Sequence, residues 1–170
     1  MPTPVLSHLI GTLTLLAVAL ILVEVFSFVA FLYNMETVNT MLAEVAESCA
    51  REIVELVSVH TLGGGNYTVM LLTVPSDLGG QPYALQVADV GENKLLVNAS
   101  LQIYQQVRVV VTPNFGSNPV HATPSETQVA GLTVKPTIML PLPQGYRPAL
   151  VAYRQGGYVY IGFTQLQQKP

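Results

Sequence analysis

The chain has 170 residues, 50% of them hydrophobic and 10% charged, with a formal net charge of −3 at pH 7 and a mean hydropathy of +0.45. Soluble domains carry about 25% charged residues, so much of this surface is expected to meet lipid, other subunits or attached glycan rather than bare water. The absence of a basic stripe excludes a nucleic-acid partner, and a single cysteine, Cys49, excludes an intrachain disulfide.

Charge is placed unevenly along the chain. Residues 1–23 carry none. In residues 24–57, Glu24, Glu36, Glu44, Glu47, Glu52 and Glu55 face one base, Arg51, for a net of −5, while the remainder is net +2. Opposite signs suit contact between the arm of one copy and the head of another.

Residues 9–33 form an apolar run broken mainly by Thr12, Thr14, Glu24 and Ser27. That is long enough to span a bilayer core as a helix. Glu24 sits near the middle of "AVALILVEVFSFVAFLYN", where an unpaired charge in hydrocarbon is costly. Only His8 stands in the nine residues ahead of the run, where a start-of-span normally has a basic flank. Either a basic leader has been removed or the segment is not a permanent anchor.

The helical pattern continues beyond the apolar run. Met35, Val38, Leu42, Val45, Cys49, Ile53 and Leu56 follow a three-four spacing that draws one stripe. No proline occurs between Pro4 and Pro75, and Gly63, Gly64 and Gly65 punctuate the end. The expectation is one helix over residues 1–58, roughly 80 Å long at 1.5 Å per residue, a glycine hinge at 59–65 and a head over 66–170. A single anchor does not need the stripe to reach Leu56, so the stripe is read as packing between copies.

After the hinge the pattern becomes that of strands. "NYTVMLLTV", "PYALQV", "NKLLVNASLQIYQQVRVVV", "QVAGLTVKPTIML" and "PALVAYRQ" are rich in Val, Ile, Leu, Tyr and Thr and are separated by Gly, Pro, Asn and Asp. The clearest hairpin is "ALVAYRQGGYVYIGF" around Gln155-Gly156-Gly157. Seven or eight short strands predict an antiparallel β-sandwich, Ig-like or a small barrel. The fold class is therefore α+β, a long N-terminal helix followed by a β head.

Chemistry-bearing residues are scattered. His8, His60 and His121 fall in different zones without metal-ligand spacing, and Cys49 lies on the apolar stripe as a small hydrophobe. "TLGGGNYT" lacks the GK[ST] of a phosphate loop and follows a helix instead of opening one. No catalytic or metal site and no cofactor is expected, and the chain is read as a non-enzyme. Asn66-Tyr67-Thr68 and Asn98-Ala99-Ser100 are N-glycosylation sequons, and residues 117–128 form a Ser/Thr-rich loop open to modification.

A charge-poor apolar helix followed by a β head, with "VFSFVAFLYNMETVNTM" where the apolar run ends in an aromatic-rich stretch, resembles the archaeal type IV pilin and archaellin superfamily. The resemblance covers about the first 58 residues; the family's basic leader and processing site are not visible. It implies a subunit that waits in the cell membrane and is then stacked with identical copies into an extracellular helical filament for adhesion or motility. A core helix would pack through Leu16, Leu20, Glu24, Phe28, Phe31, Met35, Val38, Leu42, Val45, Cys49, Ile53 and Leu56. An assembly ATPase, a membrane platform protein and a leader peptidase are the partners it implies. Within that picture Glu24 fixes axial register, as a lone buried polar group does in coiled coils, with Thr12, Thr14, Ser27 or the terminal amine of a neighbour as partner. The rival reading is a single-pass, membrane-anchored envelope protein with an extracellular β-sandwich binding domain.

Overall fold

A computed structural model of the chain describes residues 4–102 and 106–168, apart from the side chains of 5–7. Residues 103–105 of the expected long strand lie outside the described residues. The chain divides into two compact units, Met1–Val38 and Asn39–Pro170.

One helix, α1 (Pro4–Gly63), runs through both units. Pro4 occupies its first position, where a missing N–H costs nothing. The helix stops where Gly64 takes a φ of +64°, the left-handed conformation that ends helices and that L side chains disfavour. The first unit is helix alone, and its apolar side chains from Leu9 to Tyr33 are exposed. Three threonines of this unit bond back to their own helix: Thr12 donates to the His8 and Leu9 carbonyls, Thr14 to Ile10 and Thr37 to Tyr33.

Among the described residues the second unit contains the rest of α1 and ten strands: β1 (Tyr67–Leu71), β2 (Tyr83–Gly91), β3 (Lys94–Leu101), β4 (Val107–Val111), β5 (Val120–Ala122), β6 (Thr127–Val129), β7 (Leu132–Val134), β8 (Thr137–Leu140), β9 (Tyr146–Gln155) and β10 (Tyr158–Gln167). They form a four-stranded sheet ordered β1-β9-β10-β5, another ordered β4-β3-β2-β8, and the small hairpin β6-β7. All pairings are antiparallel except β5 beside β10. The α+β expectation holds.

Alternation sets the core. Tyr83, Leu85 and Val87 of β2, and Leu95, Val97, Ala99 and Leu101 of β3, are buried on one face of the second sheet, joined by Ile138 and Leu140 of β8. In the first sheet Leu150, Ala152, Ile161 and Phe163 are buried on one face. The other face of β9 and β10 is also covered, because the β6-β7 hairpin lays Val129, Leu132 and Val134 on Val151, Tyr153 and Tyr160. Strands covered on both sides read as continuous apolar runs, as "ALVAY" does.

The second half of α1 belongs to this head. Leu42, Ala46, Cys49, Ile53 and Leu56 are wholly buried, and Val45, Ala50 and Val57 nearly so. Hydrogen bonds at three points along the helix fasten it to β4, to β1 and to the residues just beyond β1. Arg108 Nε of β4 donates to Asn39 Oδ1 at 2.9 Å, and the Thr73 N–H just beyond β1 reaches both Glu52 carboxylate oxygens at 3.1 and 3.2 Å. His60 Nδ1 meets Thr68 Oγ1 of β1 at 2.9 Å. The helix thus closes the side of the sandwich between β1 and β4.

Two expectations are corrected here. The stripe at Leu42, Val45, Cys49, Ile53 and Leu56 is not free for other copies, because the chain's own strands cover it; Val38 is buried as well. The division also falls near Val38 inside the helix, not at Gly63, Gly64 and Gly65, since residues 39–63 fold with the strands.

Close approach of β7 and β10 demands glycine at position 162. A Cβ there would lie 2.6 Å from Val134 Cγ1, 2.7 Å from Thr123 Oγ1 and 3.0 Å from the Lys135 carbonyl oxygen. Gly162→Ala is expected to lower head stability by about 1–3 kcal/mol, the usual cost of overpacking, read as a shift in the denaturant midpoint at unchanged slope.

Candidate functional site

Three places concentrate unusual chemistry: the exposed helix of the first unit, the interior face of α1, and the sequons. In the first, mean hydropathy reaches 2.8 within an 18-residue window, none of it buried, so the chain contains a helix long and apolar enough to cross a membrane. Length and the exposed side chains place that capacity in residues 9–33. Among the expected packing residues, Leu16, Leu20 and Phe28 are exposed at 63%, 59% and 62%; Phe31 is also exposed and Met35 half-buried. An apolar surface of this extent in water carries a large hydration cost, at about 25 cal/mol per Å². It calls for lipid or protein around it.

Glu24 interrupts that surface. It has no hydrogen-bond or ion-pair partner among the described residues. Thr12 and Thr14, offered above as partners from a neighbouring copy, already donate their protons to carbonyls of their own helix. They retain acceptor capacity only, so they suit a protonated carboxyl as donor and not a carboxylate.

On the interior face, Cys49 is wholly buried. Burial first, and then the charge of Glu52, push its thiol far above the ordinary range, which leaves no thiolate for nucleophilic or metal chemistry at neutral pH. Glu52 is half-buried; burial raises its carboxyl, against the Thr73 N–H that lowers it. His60, also wholly buried, has its Nε2 without a hydrogen-bond partner among the described residues. Burial, and then the nearby Arg154 guanidinium, lower its imidazole below the usual value.

Of the sequons, Asn66 is exposed just beyond the helix end. Asn98 lies mid-strand in β3 between Gln86 and Val109, half-buried, with its Oδ1 unpartnered. Its face of the sheet also exposes Val107, Val109, Val111 and Met139. Gly63 is the last residue of α1, and Gly64 and Gly65 connect it to β1, with the His60–Thr68 contact bridging helix and strand. Among the described residues no three His, Cys, Asp or Glu side chains gather as metal ligands.

Sequence reasoning missed an aromatic row on the first sheet. Tyr153 and Tyr160 stack at 5.5 Å, and His121 meets Tyr158 edge-on at 5.1 Å. The two-residue Gly156-Gly157 turn, with φ of +62° and +86°, was the signal available: such a loop sets Tyr153 opposite Tyr160. The pairings with β1 and β5 had no local signal.

No family model, curated protein or solved structure matches this chain.

Two outcomes follow from the interior face. The thiol of Cys49 is expected to resist maleimide in the native chain and to react within minutes in denaturant, as read by mass spectrometry; rapid native labelling would mean that α1 leaves the head. His60, with a lowered folded value, stabilises the head above the unfolded histidine value near 6.5 and loses that contribution as pH falls through it. Glu52, with a raised value, acts with the opposite sign, losing stability as pH rises through its folded value. The His60 contribution is read by difference: between about pH 7 and 5 the thermal midpoint should drop further in the parent than in His60→Gln, and equal pH profiles would remove His60 from this role.

Proposed function

We propose that this chain is the structural subunit of an extracellular helical filament, held in the cell membrane through residues 9–33 before assembly and packed through the same residues afterwards. One observation supports it above the others: Glu24 stands unpartnered in the middle of an apolar helix that is exposed all round. A span surrounded only by lipid gains nothing from that carboxyl. A helix surrounded by copies of itself gains a polar contact that discriminates between axial registers, the best-attested use of a lone buried polar group.

The surface available for that packing is shorter than the stripe suggests. Leu16, Leu20, Glu24, Phe28 and Phe31 belong to it, whereas Leu42 to Leu56 serve the head. A substitution such as Val45→Asp is thus a test of head folding and does not address assembly. Glycans at Asn66 and Asn98 would supply the polar cover that so few charges leave wanting, with Asn66 the more accessible. The assembly ATPase, platform protein and leader peptidase follow from the pilin resemblance alone.

The second reading, a monomeric head on a membrane anchor, draws its support from the same correction. Because α1 is covered by its own head from Leu42 onward, the continuation of the stripe no longer demands neighbours.

Electron microscopy of the sheared extracellular fraction, with mass spectrometry of its main protein, separates the two. Filaments of this chain are expected, with a mass that reveals processing and glycans. Retention in the membrane with no filament containing it would establish the anchored reading. Glu24→Leu should insert at least as well, since removing a mid-helix carboxyl spares about 2.5–3.5 kcal/mol on insertion scales. It should nevertheless yield few or irregular filaments, and Glu24→Gln should keep more of them. Normal filaments from Glu24→Leu would remove Glu24 from the register role.

A further inference from the structure

The outer face of the first sheet holds one aromatic ring from each of its four strands in a single transverse row. Tyr67 of β1 pairs with Tyr153 of β9, Tyr153 with Tyr160 of β10, and Tyr160 with His121 of β5. Tyr158, two residues along β10, turns to the same face and meets His121 edge-on. Cross-strand aromatic pairs stabilise a sheet, and the centre of the row does so: Tyr153 is buried beneath the β6-β7 hairpin. The ends do not. Tyr67 is 49% exposed and Tyr158 46%, so each spends half of its ring on water.

A polar border stands beside Tyr158. Asp89 at the end of β2 accepts the Ala122 N–H at 2.7 Å through Oδ1 and meets His121 Nδ1 at 3.3 Å through Oδ2. Both side chains remain part-exposed. The border is polar, and it offers a ligand carboxylate oxygens and an imidazole as hydrogen-bonding groups. No lysine or arginine lies in the row, and the neighbouring Arg154 alternates to the opposite face. A stacked nucleotide needs cations for its phosphates; this surface offers it none. Flat apolar rings edged by phenol, imidazole and carboxylate suit a neutral polyhydroxylated ligand, whose C–H faces lie on aromatic rings while its hydroxyls take hydrogen bonds.

We propose that this end of the sheet is a carbohydrate-binding platform, with Tyr67 and Tyr158 stacking on sugar rings and Asp89 and His121 holding hydroxyls. Two strand spacings and two residues separate the exposed tyrosines, about 12 Å between their Cα positions, which selects an oligosaccharide over a single sugar. The site lies wholly within the head and does not depend on whether the chain polymerises.

The chain has no tryptophan and eight tyrosines, so intrinsic emission is tyrosine emission, and the share of Tyr67 and Tyr158 is read from their variants. The full chain, in dodecylphosphocholine to avoid sugar detergents, is titrated with linear oligomers of N-acetylglucosamine, mannose and glucose, with calorimetry in parallel. At least one oligomer should give a saturable response and heat. Tyr67→Ala and Tyr158→Ala should each weaken it about tenfold, the scale of one stacking contact, with the thermal midpoint unchanged, while Tyr158→Phe keeps binding. Absence of response to all three oligomers, or undiminished binding by the Tyr67→Ala/Tyr158→Ala double variant, would overturn the assignment.

Discussion

A two-sheet sandwich with unequal edges must close its sides, and here the closure is made by a helix. β1 and β4 are edge strands of different sheets, each with backbone groups that invite pairing by another chain. The buried face of α1 fits between them: small residues, Ala46, Cys49 and Ala50, alternate with Leu42, Ile53 and Leu56. Each fully buried Leu or Ile favours the closed head by roughly 1.5–3 kcal/mol, opposed by the ordering of the chain. The polar fastenings at Asn39, Glu52 and His60 are widely spaced along the helix and fix its register against the strands.

This closure divides one helix between two environments without any break in its backbone. Residues 9–33 are apolar on every side and leave direction unspecified, so they accept lipid or packed neighbours equally. From Leu42 the apolar positions narrow to a stripe, and Glu44, Glu47, Arg51 and Glu55 keep the opposite face in water. The change of pattern, more than any glycine, marks where the head begins. The Gly63-Gly64-Gly65 turn has a different role: it reverses the chain from the helix end into β1.

Much of this was legible in the sequence, and the remainder was hidden for physical reasons. The helix was evident from periodicity and the absence of proline, and the β9-β10 hairpin from its Gly-Gly turn. Of the stripe expected from Met35 to Leu56, Val38 onward is buried, but periodicity states that a face will be covered and not by what. Cover from within the chain and cover from a second copy leave the same pattern. Sheet order was hidden in the same way, because β1 pairs with β9 and β5 with β10 across long stretches of sequence. The aromatic row needs both pairings to exist, and so Tyr67 and His121 looked unrelated. Glu24 was visible from the first reading, since a carboxyl in an apolar run requires no tertiary information to be noticed.

The position of β1 in its sheet has a consequence for the order of events during synthesis. β1 has β9 as its neighbour, and β9 is made only after all the strands from β2 to β8. Until the β9-β10 hairpin arrives, the strand that receives His60 has no sheet to join, and the buried face of α1 lacks part of its cover. Non-local pairing of this kind is slow to form, and apolar surface left waiting is prone to wrong association. The growing chain therefore passes through a stage in which its membrane-competent segment is complete while its head is still open, and any factor that escorts it must shield the helix face from residue 42 onward.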